Sequence, residues 1–284
     1  MTIRPLKRQC SLNSNQHSIV TGGTSGLGLG LALRLLRRGG RVSVLARGLD
    51  SPAREKLDEA ADRGGGEWRF WEVDVVDAQG VLTAVKEAVS AFGTPQLVVN
   101  SAGIAINRTF AQTSAEAFQK VIDVNLLGSR HVAAAVLPHM QSGSRLVFLA
   151  SVAGLVSNYG YAAYGASKFA VLGLATTLRY EYQPRGVGVT CVCPPEVKTP
   201  MVAIERAPGN ASPISLALKD IAGSLDTDYA CDAILKGIDR GQWLVVPGVM
   251  AKLTAQFARL FPALFYRFME FNIRRLMKEY PADR

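Results

Sequence analysis

The chain predicts an α/β fold: a doubly wound parallel sheet of about seven strands, helices on both faces, and a helical extension at the C-terminus. Two patterns and one bound lead there. Short apolar, β-branched runs alternate with helical-period stretches of about 10–20 residues, as in a parallel sheet buried on both faces. A glycine-rich turn, TGGTSGLG over residues 21–28, separates the first strand from the first helix. The 284 residues, 48% hydrophobic and 19% charged, suffice for one large core.

Residues 18–21 read as the first strand, and an apolar-periodic helix runs from the glycines to about Arg38, stopped by Gly39-Gly40. RVSVLAR is the second strand, ending near Ala46, and 51–63 a polar helix. EWRFWEVDV is the third strand, with Asp74 at its end; 78–92 is amphipathic helix, and QLVVNSAG a fourth strand entering a loop. Residues 114–142 hold two helical stretches, the second broken near Pro138. RLVFLAS is the fifth strand, 161–182 a long helix, and GVGVTCVCPP the sixth strand. Residues 199–226 are rich in proline, glycine and serine with poor periodicity, which suits a mobile lid. A helix over 228–240 and a strand over 243–246 complete the sheet. The expected organisation is an N-terminal arm (1–16), one domain (17–250) and the extension (251–284).

The net charge of +9 admits an anionic ligand or membrane surface. No zinc-finger or RNA-recognition signature is present, so nucleic acid is not an expected partner. Cys10, Cys191, Cys193 and Cys231, with His17, His131 and His139, have no metal-ligand spacing; no metal is expected, and free thiols in a reducing compartment are. The first residues lack an apolar run, so a cytoplasmic protein without a secretory signal is expected. The uncharged run 146–167 has a membrane-spanning length, but its Ser, Asn, Gly and Tyr content argues against a span.

The loop Thr21, Gly22, Thr24, Ser25, Gly26, Leu27, Gly28 follows a strand and opens a helix, the setting a dinucleotide loop needs. Glycines let the backbone approach a pyrophosphate, and the helix N-terminus supplies N–H donors. An acid closing the second strand would bind a ribose 2′-hydroxyl and favour NAD. This chain has Arg47 there, whose planar fork suits a 2′-phosphate, with Ser25 as a further donor. NADP(H) is therefore expected ahead of NAD. Tyr164 and Lys168 lie four residues apart on one helix face. A lysine cation favours the phenolate and lowers the tyrosine pKa toward the range useful for proton transfer. Ser151 offers a short donor for the same oxygen.

In this order the motifs resemble the short-chain dehydrogenase/reductase family, over about residues 17–247. TGGTSGLG looks like its cofactor loop, and Asp74-Val75 like its adenine contact. NSAG (Asn100, Ser101, Ala102, Gly103) resembles its NNAG, with Ser101 in place of the second asparagine. Asn125 in DVNLLG matches the asparagine that holds a water in the proton relay, and Ser151 precedes Tyr164 by the family's 13 residues. PPEVKTPM, with Pro194, Val197 and Thr199, resembles the turn over the nicotinamide; Pro195 stands where glycine is usual, stiffening that turn and removing an N–H. The resemblance implies a Rossmann-type oxidoreductase with Asn125, Ser151, Tyr164 and Lys168 catalytic. Pro-Pro-acid before Thr-Pro, the LAR strand end and the basic aromatic tail further resemble the NADPH-dependent 3-ketosphinganine reductase branch. A hydrophobic carbonyl or alcohol substrate follows, as does a homo-oligomer (dimer or tetramer). A generic alcohol, hydroxysteroid or 3-oxoacyl reductase remains an alternative, as does a cofactor-binding scaffold without turnover.

Residues 253–280 place Leu253, Phe257, Leu260, Phe261, Leu264, Phe265 and Phe268 at helical spacing, with Arg259, Arg267 and Arg274 on the other side and a break at Pro262. Two readings stay open: a helix covering the substrate pocket or a partner subunit, and a helix lying on a membrane surface.

Overall fold

The computed structural model describes residues 14–281. Cys10 and most of the expected arm over 1–16 lie outside the described residues. Seven parallel strands form one sheet in the order β3-β2-β1-β4-β5-β6-β7. They are β1 (His17–Thr21), β2 (Arg41–Ala46), β3 (Glu67–Glu72), β4 (Leu97–Asn100), β5 (Arg145–Leu149), β6 (Gly188–Val192) and β7 (Leu244–Val245). The order reverses between β1 and β4, so the strand ends open into a crevice there, where such sheets bind ligands.

The period of two along each strand divides the core. Ile19, Val98, Leu146 and Phe148 face helices α3 (Ala78–Phe92), α5 (Gly128–Val136) and α6 (Ala162–Tyr182). Val20, Val44, Val99 and Val147 face α1 (Gly26–Arg37), α2 (Ser51–Gly64) and α9 (Thr227–Asp239). Aspartates cap three of the helices: Asp50 accepts one backbone N–H of the following turn, and Asp77 and Asp226 two each. α4 (Ala115–Ile122) runs into α5 through a π-helical turn, Asp123–Leu127. The extra residue of that turn carries Asn125 inward.

The segment over 199–226 departs from its aperiodic appearance. It folds as α7 (Pro200–Arg206) and α8 (Pro213–Ala222), each with proline in its first turn, and Ser212 caps α8 by accepting from the Ser215 N–H. Helices of 7 and 10 residues give too few turns for a period to stand out. The tail forms α10 (Val249–Leu260) and α11 (Pro262–Glu279), divided at Phe261. α11 packs on α8 through Leu276, Met269, Ile273 and Met277 against Ile214 and Leu218. Among the described residues no helix is long and apolar enough to cross a membrane, and no His, Cys, Asp or Glu cluster could hold a metal ion.

His17 begins the central strand, fully buried. Its Nδ1 lies 2.6 Å from the Gly93 carbonyl oxygen and its Nε2 2.8 Å from Ser43 Oγ. Burial lowers its pKa to about 4. Between pH 6.5 and 4 the unfolded chain therefore binds a proton that the native state refuses, and stability falls as pH falls. Denaturant unfolding should show a loss of ~2 kcal/mol from this group between pH 7.5 and pH 5. That component of the pH dependence should be missing from His17→Asn.

Candidate active site

The crevice is a cleft of about 1710 Å³, running from Arg47 and Asp74 past Tyr164 to Phe257, Phe265 and Phe268 of the tail. Gly22, Thr24, Ser25, Gly26, Leu27, Val75, Ala102, Gly103, Ser151, Lys168, Pro194, Val197 and Thr199 also line it. Thr21, Gly28, Asn100 and Asn125 do not reach its surface and act from behind the wall. The Thr21 hydroxyl accepts from the backbone N–H groups of Ser101 and Ala102 (3.1 and 3.2 Å) and donates to Asn100 Oδ1. Asn100 Nδ2 donates to the Ser129 carbonyl. A Cβ on Gly28 would overlap the Gly22 carbonyl oxygen, so only glycine lets α1 begin this close to the turn. Gly22 and Gly26 have φ of +64° and +52°, the left-handed region glycine favours. This cradle fits a dinucleotide: an open helix N-terminus at the glycines, Arg47 and Asp74 at one end, and Thr199 against Gly26.

At the centre, Asn125 clamps the chain beyond β4. Its Oδ1 accepts from the Ile104 N–H (2.8 Å), and its Nδ2 donates to the Ile104 carbonyl and Ser167 Oγ (2.9 Å each). A Cβ on Gly103 would lie 3.1 Å from Asn125 Oδ1 and 3.5 Å from Lys168 Nζ, so both side chains flank that glycine. Lys168 donates to the Leu149 carbonyl (2.9 Å), and its ammonium sits 5.5 Å from the Tyr164 ring centre. Ser151 Oγ accepts from the Ala153 N–H and hydrogen-bonds Tyr164.

The electrostatics correct one expectation. In the protein alone the Lys168 cation does not outweigh the burial of Tyr164. Burial pushes the phenol up to about 12, partly offset by the Ser151 hydrogen bond, with the Glu205 carboxylate adding to the rise. Burial likewise lowers Lys168 to about 8. The ammonium lies over the ring face and is bonded to a carbonyl, which leaves the desolvation of the phenolate as the larger effect.

A profile of the family described as short chain dehydrogenase matches residues 16–209. The chain belongs to the short-chain dehydrogenase family. Members of that family are oxidoreductases that use nicotinamide cofactors. The chain is 33% identical over 195 residues, 67% of its length, to a 3-ketodihydrosphingosine reductase of Mus musculus, and spans 59% of that protein. A short-chain dehydrogenase from Sphingobium yanoikuyae in complex with NADPH superposes with a TM-score of 0.71 at 27% identity, over 87% of this chain and 93% of that one. The fold of a short chain dehydrogenase/reductase from Burkholderia phymatum in complex with NAD matches with a TM-score of 0.77 at 23% identity, over 89% of this chain and 95% of that one.

The cleft of this short-chain dehydrogenase also holds groups that sequence reasoning missed. Tyr161, Glu196, Glu205, Lys219 and Asn107 line it beside Tyr164. Glu196 sits within PPEVKTPM but was legible there only as backbone, and Tyr161 only as a helix start. Glu205 and Lys219 lie on the two short helices whose periodicity is hidden.

Proposed function

We propose that this enzyme uses NADPH to reduce a ketone on a long-chain, hydrophobic substrate of the 3-ketosphinganine type. One observation carries the reading: Ser151, Tyr164 and Lys168 converge midway along a cleft with Arg47 at one end and three phenylalanines of the tail at the other. A bound nicotinamide supplies the hydride. Ser151 orients the carbonyl oxygen through its hydroxyl, and Tyr164 gives that oxygen its proton. Lys168 stabilises the phenolate left behind, and the Asn125 clamp holds the backbone against which Lys168 is placed. Arg47, exposed at the end of β2, holds the 2′-phosphate that distinguishes NADPH from NADH. The apolar side chains of α10 and α11 accept the chain of the substrate.

The likeness to the 3-ketodihydrosphingosine reductase of Mus musculus supports the substrate class, and the NADPH complex of the Sphingobium yanoikuyae relative supports the cofactor. The test is NADPH oxidation against 3-ketosphinganine, a steroid ketone and a 3-oxoacyl thioester. Turnover confined to the last two would replace the sphingoid reading with the generic one. Arg47→Ala should raise the KM for NADPH about 30-fold and leave that for NADH within about threefold, matching loss of a charge-assisted pair worth ~2 kcal/mol. An unchanged NADPH KM would remove Arg47 from the cofactor site.

The apolar rim of the cleft favours work at a lipid surface. Ile204, Ile221, Met250 and Phe268 line the cleft and are also well exposed at its mouth. Residues 249–281 carry Lys252, Arg259, Arg267, Arg274, Arg275 and Lys278 against Glu270 and Glu279. A basic, apolar helix pair at the entrance suits peripheral contact with an anionic membrane, where a long-chain ketone would be held.

A further inference from the structure

Five segments meet in a buried polar network at the substrate end of the cleft. Glu205 of α7 is 7% exposed. Its Oε1 accepts from the Tyr161 hydroxyl (2.5 Å), from Asn107 Nδ2 (2.5 Å) and from Lys219 Nζ of α8 (2.8 Å). Lys219 also donates to the Tyr161 hydroxyl (3.0 Å) and pairs with Glu196, beyond β6, at 2.5 Å. Arg206 of α7 holds the other oxygen of Glu196 (2.7 Å) and reaches Asp220 of α8 (2.8 Å). The Tyr161 ring, 7% exposed, lies 5.1 Å centre to centre from the Tyr164 ring at a tilt of 44°.

Burying two carboxylates and an ammonium costs desolvation that their mutual attraction rarely exceeds by much. A network of this kind is therefore poor evidence for stability and better evidence for geometry. Here it fixes one thing: the place of the Tyr161 ring against the Tyr164 ring. Tyr161 immediately precedes α6, and Tyr164 lies in its first turn. The hydroxyl of Tyr161 is tied to helices that come from a distant part of the chain.

We propose that Tyr161, held by Glu205 and Lys219, is a positioning residue for Tyr164, so that seating α7 and α8 over the cleft aligns the proton donor. The inference rests on Tyr164 being that donor. The groups facing Tyr164 are Ser151 beyond β5, Cys193 beyond β6, Lys168 and Tyr161 on and before α6, and Glu205 on α7, with Glu196 and Lys219 around Tyr161. Of these, Glu205 brings a negative charge from a lid helix. Seating α7 therefore also disfavours the phenolate and keeps Tyr164 protonated, the form that ketone reduction needs.

The test compares Tyr161→Phe and Glu205→Gln with Tyr164→Phe. Tyr161→Phe keeps the ring against Tyr164 and loses the tie to α7. We expect kcat to fall about tenfold with the ketone KM within about threefold. Amide hydrogen exchange over residues 200–222 should accelerate about tenfold. Glu205→Gln keeps an acceptor for Tyr161 and removes the charge. The apparent pKa governing alcohol oxidation should fall by about one unit, since a carboxylate opposes phenolate formation. Should Glu205→Gln not fold, Glu205→Gln/Lys219→Met removes the opposing charge as well and takes its place.

Wild-type kcat in Tyr161→Phe, a change in KM alone, a kcat loss without faster exchange over 200–222, or an unmoved pKa on removing the charge would each overturn the proposal. Tyr164→Phe separates the two levels. Inactive Tyr164→Phe beside fully active Tyr161→Phe sinks only this inference, whereas active Tyr164→Phe sinks the assigned proton donor itself.

Discussion

Tyr164→Phe should lower turnover about 10³-fold, within the range general acid–base catalysis supplies, while NADPH binding and the fold persist. The ring stays: its face remains against Tyr161 and beneath the Lys168 ammonium. Only the hydroxyl goes, and with it the hydrogen bond to Ser151. The neighbouring phenol of Tyr161 is not available to substitute. The Tyr161 hydroxyl is committed to Glu205 and Lys219, and its pKa is raised by burial and then by the Glu205 charge, which makes it a poor base for the reverse reaction. Single-turnover reduction with saturating NADPH reads the chemical step, and fluorescence titration of NADPH reads binding. Activity above about a tenth of wild type would show that the proton comes from elsewhere. In the oxidation direction, activity should rise with pH as the phenol ionises, with Ser151→Ala moving that rise to higher pH, because Ser151 lowers the Tyr164 pKa.

What the sequence disclosed, and what it hid, follows from how far each feature acts along the chain. The seven strands and most of the helices between them are local, and period reveals them. The cofactor loop is local too: a Cβ at Gly28 would collide with the carbonyl of Gly22, six residues earlier. Ser151, Tyr164 and Lys168 occupy one short stretch, a weak pattern by itself that becomes a site only beside the cofactor loop, Asn125 and the PPEVKTPM turn. Asn125 was visible as a motif, but its work was not. Its clamp on Ile104 and Ser167 depends on a π-helical turn that no pattern of apolar residues encodes. The Tyr161, Glu205 and Lys219 network was hidden for a stronger reason. It spans 58 residues between Tyr161 and Lys219, and its members look like ordinary helix-surface residues. The pKa of Tyr164 illustrates the same limit: the nearby lysine is legible in the sequence, but the burial that outweighs it is not.

The second large effect concerns the tail. Replacing Phe261, Leu264 and Phe271 together by serine should lower binding to anionic lipid vesicles at least about 100-fold, since each side chain contributes ~1.5–3 kcal/mol when moved from water into an apolar medium. These residues are 53%, 57% and 69% exposed, so the substitution takes little from the packing of α11 on α8, which runs through Leu276, Met269 and Ile273. Reduction of a short, soluble ketone should remain within about twofold of wild type, because the three do not line the cleft. Reduction of a long-chain ketone presented in vesicles should fall with the binding. Vesicle co-sedimentation at low and high salt measures the partition, and the basic residues of α10 and α11 require it to weaken as salt rises. A wild-type chain that ignores vesicles and sediments as a dimer, with the triple variant a monomer, would assign this face to a second copy of the chain. The fold sharpens the distinction between these outcomes. Phe257, Phe265 and Phe268 turn toward the cleft, whereas Phe261, Leu264 and Phe271 do not reach it. One pair of helices thus presents apolar side chains both to the substrate path and away from it. Lipid contact on the outer side would place the mouth of the cleft against the phase in which a long-chain ketone is dissolved, and substrate could reach Tyr164 without its chain crossing water.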